Sequence, residues 1–288
     1  MINQYDFINN SSLFKKFKVD ELLFCEYRCP IDRDEIAIWS HENVFFYVLS
    51  GKKKWKTIKS EYMIREGEAA FVKKGANIIQ QYFDETHCVL TIFVPDHFIK
   101  SVIEKHQLNI IVNNKKIKSD KVIRINIDEV LTTYFQSLFS YFLKPEPPLK
   151  DLLKLKFEEL IISIVSNNNN LELSTYFKDI YSSNKISIKE IMEDNFPYNM
   201  KLDEYARLCG RSLSVFKRDF ESTFGSTPGK WLTNKRIQFA RYLIENSEKT
   251  LDEIIFRSGF KNQSHFIRVF KEKYKTTPSK FKRNLHVH

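Results

Sequence analysis

At 288 residues the chain is long for a single core, so two domains are the better expectation. A 42% hydrophobic share with 25 Phe, 13 Tyr, 7 Gly and 8 Pro excludes a fibrous or broadly disordered protein, and neither a secretory leader nor a membrane-length apolar run is visible. The net charge of +10 is unevenly placed. From Ile186 onward there are 20 Lys+Arg against 12 Asp+Glu, whereas the preceding residues are near neutral, which points the basic tail toward a polyanion.

From Cys25 to Val94 short β-branched and aromatic runs alternate with turn signals. The runs at 35–39, 44–49, 62–64, 69–72 and 89–94, separated by Ser50-Gly51-Lys52, Glu66-Gly67-Glu68 and Lys74-Gly75-Ala76, predict a small antiparallel barrel or sandwich. Pro95 ends the last of them. Cys25, Cys29, Cys88 and Cys209 are scattered, with no second Cys/His pair at ligand spacing, so buried or idle thiols are expected.

After Asp128 the period becomes helical, through Val130, Leu131, Tyr134, Leu138 and Tyr141, until Pro145, Pro147 and Pro148 break it. A second amphipathic helix follows over 149–165. Its apolar residues Leu152, Leu153, Phe157, Leu160, Ile161 and Ile164 suit packing on the barrel or, through Leu153, Phe157, Leu160, Ile161 and Ile164, a dimer seam, and the pattern leaves both open. A short helix spans 172–181, and Ser182-Ser183-Asn184 reads as a linker. The domains are thus expected at 1–120, 121–183 and 184–288.

The last hundred residues repeat. Leu202-Asp203-Glu204 recurs as Leu251-Asp252-Glu253 and Gly210 as Gly259, at an offset of 49. Past the turn the offset is 50: Phe216 matches Phe266, Arg218 matches Arg268, Phe220 matches Phe270, and Thr227-Pro228 matches Thr277-Pro278. So many matches in one frame indicate a duplicated unit with one residue inserted in its turn.

Each unit, over about 202–224 and 251–274, reads as a short helix, a glycine turn and a second helix. Thr250 to Glu253 matches a capping box, and Ser212 and Asn262 are placed to cap the second helices. Leu213, Phe216, Phe220 and Phe224 are expected inward, as are Phe266, Phe270 and Tyr274. The outward residues predict direct contact with major-groove base edges by Ser214, Lys217 and Arg218, and by Gln263, Ser264 and Arg268. Arg207, Arg211, Lys261, Asn262 and Lys271 are assigned to phosphates. Between the units, 228–246 reads as one helix of about 28 Å, against about 34 Å between successive major-groove faces on one side of DNA.

These tandem units, and the stretch Gly259-Phe260-Lys261-Asn262-Gln263-Ser264-His265-Phe266 through Phe270-Lys271 to Thr277-Pro278, resemble the DNA-binding domain of the AraC/XylS family. The resemblance covers about 186–284. It implies a cytoplasmic transcription activator that recruits RNA polymerase, with a cupin-like barrel in front and a helical pair that dimerises in relatives. The fold expected is multidomain α+β: an N-terminal cupin-like antiparallel β-barrel with a helical dimerisation segment, then an all-α tandem helix-turn-helix domain. The run 44–98 and Glu146-Pro147-Pro148 are similar to the ExsA-type activators of type III secretion genes, whose front domain is controlled by a protein partner.

Metal-binding cupins converge several His and a Glu inside the barrel. Here His41 and Glu42 are adjacent, expected on opposite faces of a strand, and Asn77 to Gln80 stand where such barrels place a His. No metal or other cofactor is therefore expected. No phosphate loop, His-Glu-x-x-His or nucleophile elbow supports an enzyme, although a cupin-type metal enzyme fused to a basic domain is the competing class. The other alternative is a module held chiefly by a protein partner. A small-molecule effector would need a barrel pocket lined by Trp39, Phe46, Tyr82 or Phe93, residues that more often simply pack.

Overall fold

The computed structural model describes residues 1–27, 35–58, 60–80, 88–111, 120–183 and 186–285. The chain divides into two compact units, Ile2–Lys185 and Ile186–His288.

The front unit runs β1 (Ile2–Asn3), α1 (Gln4–Asn10), β2 (Lys16–Val19), β3 (Leu22–Tyr27), β4 (Glu35–Ser40), β5 (Asn43–Ser50), β6 (Lys52–Lys56), β7 (Glu61–Arg65), β8 (Ala69–Val72), β9 (Gly75–Gln80), β10 (Cys88–Val94), α2 (Asp96–Lys105), β11 (Val122–Ile125), α3 (Glu129–Leu143), α4 (Lys150–Ser166) and α5 (Leu171–Ser182). The strands make two sheets, ordered β1-β4-β9-β6-β7 and β11-β8-β5-β10-β3-β2. All pairings are antiparallel except the short β1 on β4. Among the described residues no pairing joins the sheets into a ring, so the β-rich unit takes the sandwich arrangement rather than a closed barrel.

The six-stranded sheet is a middle layer, and β5 shows why its sequence is apolar without a break. Successive side chains of a strand point to opposite faces. Val44, Phe46 and Val48 join a core with Ile36, Ile38, Trp55 and Ile79 of the other sheet. Phe45 and Tyr47 join a second core with α2 to α5. There Phe45 meets the ring of Phe71 at 4.8 Å, and Tyr47 stacks on Phe135 at 4.5 Å.

This second core corrects the expected dimer seam. Leu153, Phe157, Leu160, Ile161 and Ile164 are all at most 2% exposed, packed within their own chain. The apolar stripe of α4 is consumed by the sheet and neighbouring helices, so none of the five offers surface to a second copy.

β6 is hidden by its composition. No strand is expected over Lys52-Lys53-Lys54-Trp55-Lys56, yet Lys53 is buried with its ammonium 4.6 Å from the Tyr27 ring centre and 5.1 Å from that of Trp55. The ring faces offer the cation an attraction that a hydrocarbon wall would not. β9 begins inside Lys74-Gly75-Ala76, expected as a turn, and α2, which follows Pro95, has no counterpart among the expected elements.

His41 and Glu42 lie in the bend between β4 and β5 rather than on a strand, with His41 Nε2 3.8 Å from Glu42 Oε1. Strand alternation therefore does not set these two side chains apart. Asn77 is buried, and among the described residues no group of three or more His, Cys, Asp or Glu is gathered at metal-ligand range. Trp39, Phe46 and Phe93 are buried core, Phe46 stacking on Trp55 at 4.0 Å. Cys25, Cys88 and Cys209 are buried and, among the described residues, outside any disulfide. Cys29, Tyr82 and His87 lie outside the described residues.

The second unit is all helical: α6 (Ile188–Asn195), α7 (Leu202–Leu208), α8 (Leu213–Phe224), α9 (Pro228–Asn246), α10 (Leu251–Arg257), α11 (Gln263–Tyr274) and α12 (Pro278–Leu285). Among the described residues no helix is long and apolar enough to cross a membrane.

Candidate nucleic-acid interface

Each copy of the duplicated unit is fixed at its turn by local chemistry. α7 ends at Gly210 with φ of 61°, and α10 ends at Gly259 with φ of 80°, the left-handed region that glycine enters without steric cost. Ser212 Oγ then accepts from the Val215 amide at 3.4 Å, and Asn262 Oδ1 from the His265 amide at 3.0 Å, satisfying donors that the first helical turn would leave unpaired. α10 carries a full capping box: Thr250 Oγ1 accepts from the Glu253 amide at 3.3 Å, and Glu253 Oε2 accepts from the Thr250 amide at 2.8 Å. α7 has only half of it, because Glu204 Oε2 accepts from the Lys201 amide at 2.7 Å but a lysine side chain cannot return the bond.

The second helices are pinned by phenylalanines. Phe216, Phe220, Phe266 and Phe270 are fully buried. Phe220 stacks on Phe224 at 4.4 Å and Phe224 meets Trp231 of α9 at 5.1 Å; in the second copy Phe270 meets Tyr274 at 4.7 Å and Phe281 at 5.6 Å. α9 spans nineteen residues as expected. Leu213 departs from the inward reading, being 39% exposed. It is the first residue of α8, where the buried Phe216–Phe220 row has not yet begun.

The faces opposite the phenylalanines are open. Ser214, Lys217 and Arg218 on α8, and Gln263, Ser264 and Arg268 on α11, are exposed. The Arg218 side chain is 75% exposed, with Nη2 3.3 Å from Asp219 Oδ1. Of the residues assigned to phosphates, Arg207, Lys261 and Lys271 are exposed, and Asn262 is exposed with its amide oxygen engaged as the α11 cap. Arg211 is corrected out of this set. Its guanidinium bonds Asp219 Oδ2 at 3.1 Å, the Cys209 carbonyl at 2.9 Å and the Ile186 carbonyl at 3.3 Å, and its side chain is only 17% exposed. It braces the α7–α8 turn.

One residue that shapes this surface is not evident in the sequence. Arg236 of α9 donates from Nε to the Phe196 carbonyl and from Nη2 to the Tyr198 carbonyl, each at 2.7 Å, tying the segment between α6 and α7 to the linking helix. Tyr205 of α7 holds the end of α6, its hydroxyl donating to the Asn195 carbonyl at 2.8 Å. An arginine among apolar neighbours on α9 is the available signal, but nothing local names its partners some forty residues away.

Both units resemble known proteins. Residues 205–284 match the family described as helix-turn-helix domain, and residues 43–176 match the family described as ExsA N-terminal regulatory domain. The virulence regulon transcriptional activator VirF of Yersinia enterocolitica is 23% identical over 260 residues, covering 90% of this chain and 94% of that protein. The HTH-type transcriptional regulator ExsA of Pseudomonas aeruginosa is 23% identical over 261 residues, covering 90% and 92%. Among solved structures, an apo ToxT variant from Vibrio cholerae aligns over 93% of this chain and 98% of that one, at 17% identity and a TM-score of 0.45.

Proposed function

We propose that this chain is a DNA-binding transcription regulator of the AraC/XylS family, of the ExsA type, that reads two adjacent major-groove segments with α8 and α11 and switches transcription on, a reading supported by the two matching families and the full-length relatives. The observation that carries this reading is the repetition of one device in one chain. Each second helix has a buried phenylalanine face and a capped start, and turns a polar, basic stripe outward. Ser214, Lys217 and Arg218 are assigned to the bases of one half-site, and Gln263, Ser264 and Arg268 to those of the other. Arg and Lys donate to guanine acceptors, and Gln matches the adenine edge. Arg207, Lys261, Asn262 and Lys271 hold the backbone, fixing register without reading sequence. α9, at about 28 Å, is the strut that separates the two readers.

Residues 1–120 are assigned to a cupin-like regulatory domain, 121–183 to a mostly helical segment that opens with β11 of the same sheet, and 184–288 to DNA binding. The front unit is the seat of control, through a regulatory protein or a small-molecule effector, and RNA polymerase is the partner on DNA. A homodimer would use a surface other than the five buried α4 residues. No enzymatic activity is assigned.

The test is selection of bound duplexes from a random pool with the full chain at two salt concentrations. A bipartite motif with halves about one helical turn apart supports both helices as readers. A salt-sensitive pool without a motif would reduce the basic unit to a backbone binder.

A further inference from the structure

Along α11 the residues that share one column of the helix are Gln263, Ile267 and Lys271, four apart. All three are exposed, and the adjoining face is closed by Phe266 and Phe270, both fully buried. Ile267 sits where the buried phenylalanine row gives way to the outward stripe, 37% exposed, with Ser264 and Arg268 beside it. The part of this aliphatic side chain that meets water gains nothing there. It gains only when a partner covers it, and Gln263 and Arg268 on either side restrict that partner to the surface they also touch.

The first copy is different at this point. At the offset of 50 the counterpart of Ile267 is Lys217, also exposed, and the counterpart of Gln263 is Leu213. The two helices share a fold and a cap but not the chemistry at this position. One presents a cation that seeks an acceptor; the other presents a branched hydrocarbon that cannot form a hydrogen bond. In the major groove the base edges offer hydrogen-bond donors and acceptors, and the one apolar group that projects from them is the C5-methyl of thymine.

We infer that Ile267 packs on a thymine C5-methyl, so that the half-site under α11 demands a thymine where the half-site under α8 demands a base with acceptors. This rests on the assignment of α11 as a base reader. Ile267 lies one helical turn beyond Gln263, about 6 Å along the axis. The thymine therefore falls one to two base steps from the base that Gln263 reads. The operator is then two chemically unequal halves, and the chain binds it in one orientation only.

The experiment uses the full chain and the duplex that the random-pool selection yields. Each thymine is replaced in turn by deoxyuridine, which removes the methyl and leaves every hydrogen-bonding group in place. One thymine in the α11 half is expected to weaken binding about fourfold on replacement, the worth of burying one methyl-sized group. Ile267→Ala is expected to weaken binding to the thymine duplex and to become indifferent to that same replacement, while replacements elsewhere act on it as on the natural chain. That last comparison shows that the variant is folded and docked. Ile267→Lys, which copies the first helix, is expected to select guanine at the position. If no thymine of the α11 half responds, or if the response survives in Ile267→Ala, the inference fails while base reading by the helix stands. A selection that returns no motif would overturn base reading and this inference together.

Discussion

A Cβ built on Gly259 would stand 2.7 Å from the Pro197 carbonyl oxygen. Gly210, which occupies the same place in the first copy, would meet nothing closer than Ile186 Cδ1 at 3.7 Å. Both glycines have positive φ, so both substitutions strain the backbone, but only Gly259 is pressed against a backbone atom. That atom belongs to the segment that Arg236 holds, so Pro197 cannot retreat freely. Gly210→Ala is expected to lower the stability of the helical unit by about 1–2 kcal/mol, the left-handed penalty alone. Gly259→Ala should add an overpacking cost of about 1–3 kcal/mol. Calorimetric unfolding of the two variants measures the difference; equal losses would mean that the Pro197 contact yields without cost.

The duplicated helices also end alike. α8 is closed by Gly225 at φ of 65°, with open space around its Cβ position, and α11 by Lys275 at φ of 61°. The second copy has kept the left-handed cap but not the residue suited to it. Lys275→Gly is expected to stabilise the helical unit by about 1 kcal/mol, and Gly225→Lys to destabilise it by a similar amount. A rise in melting temperature for the first and a fall for the second checks both, and a Lys275→Gly variant that melts earlier would count against strain at this cap.

How far the sequence reaches differs between the units for physical reasons. In the helical unit the information is local: a 3.6-residue period, caps and glycines act within a few positions, and duplication doubles the signal. Leu213 misleads because period alone places it with Phe216 and Phe220, whereas the buried row starts one turn later. In the front unit the period of α4 marks five residues that are buried, with Leu152 left 36% exposed at the margin, but not what buries them. An amphipathic stripe is the same whether its partner is its own sheet or a second chain. β6 is illegible for the opposite reason, since the aromatic cage around Lys53 is built partly from Tyr27, on a distant strand that no window on 52–56 contains.

The ambiguity over α4 has a direct test. Leu160 is fully buried in the core between the six-stranded sheet and the helices. Leu160→Ala is expected to cost the front unit about 2–5 kcal/mol, the usual loss for a buried leucine whose cavity closes only in part. Because the lost contacts are within one chain, the drop in melting temperature should be the same at every protein concentration. A drop that grows on dilution would return Leu160 to a subunit interface.

The capping box at α10 makes a pH prediction. The bond from the Thr250 amide, and after it the bond from the Thr250 hydroxyl, holds the Glu253 carboxyl below its ordinary value of 4.5. A carboxylate depressed in the folded state contributes stability that is present above the ordinary value and fades as the pH falls through the lowered one. The helical unit should therefore lose part of its stability on acidification through and below pH 4.5. Glu253→Gln keeps an acceptor for the amide but cannot titrate. Its stability is expected to be flatter across that window, and an unchanged slope would place the acid sensitivity on other carboxylates.

Arg268 and Lys271 lie three residues apart on α11 and are given different tasks, one on bases and one on phosphate. The distinction is measurable because the two kinds of contact respond differently to sequence and to salt. Arg268→Ala is expected to cost about 1–3 kcal/mol on the selected duplex and to relax the base preference at one position, with non-specific binding little changed. Lys271→Ala is expected to weaken all duplexes about equally and to reduce the slope of log affinity against log salt by about one. Fluorescence anisotropy on the selected duplex and on a scrambled one, each at several salt concentrations, separates them. If Arg268→Ala weakens both duplexes alike and flattens the salt slope, Arg268 is a phosphate contact, and base reading in the second half-site rests on Gln263, Ser264 and the apolar contact of Ile267.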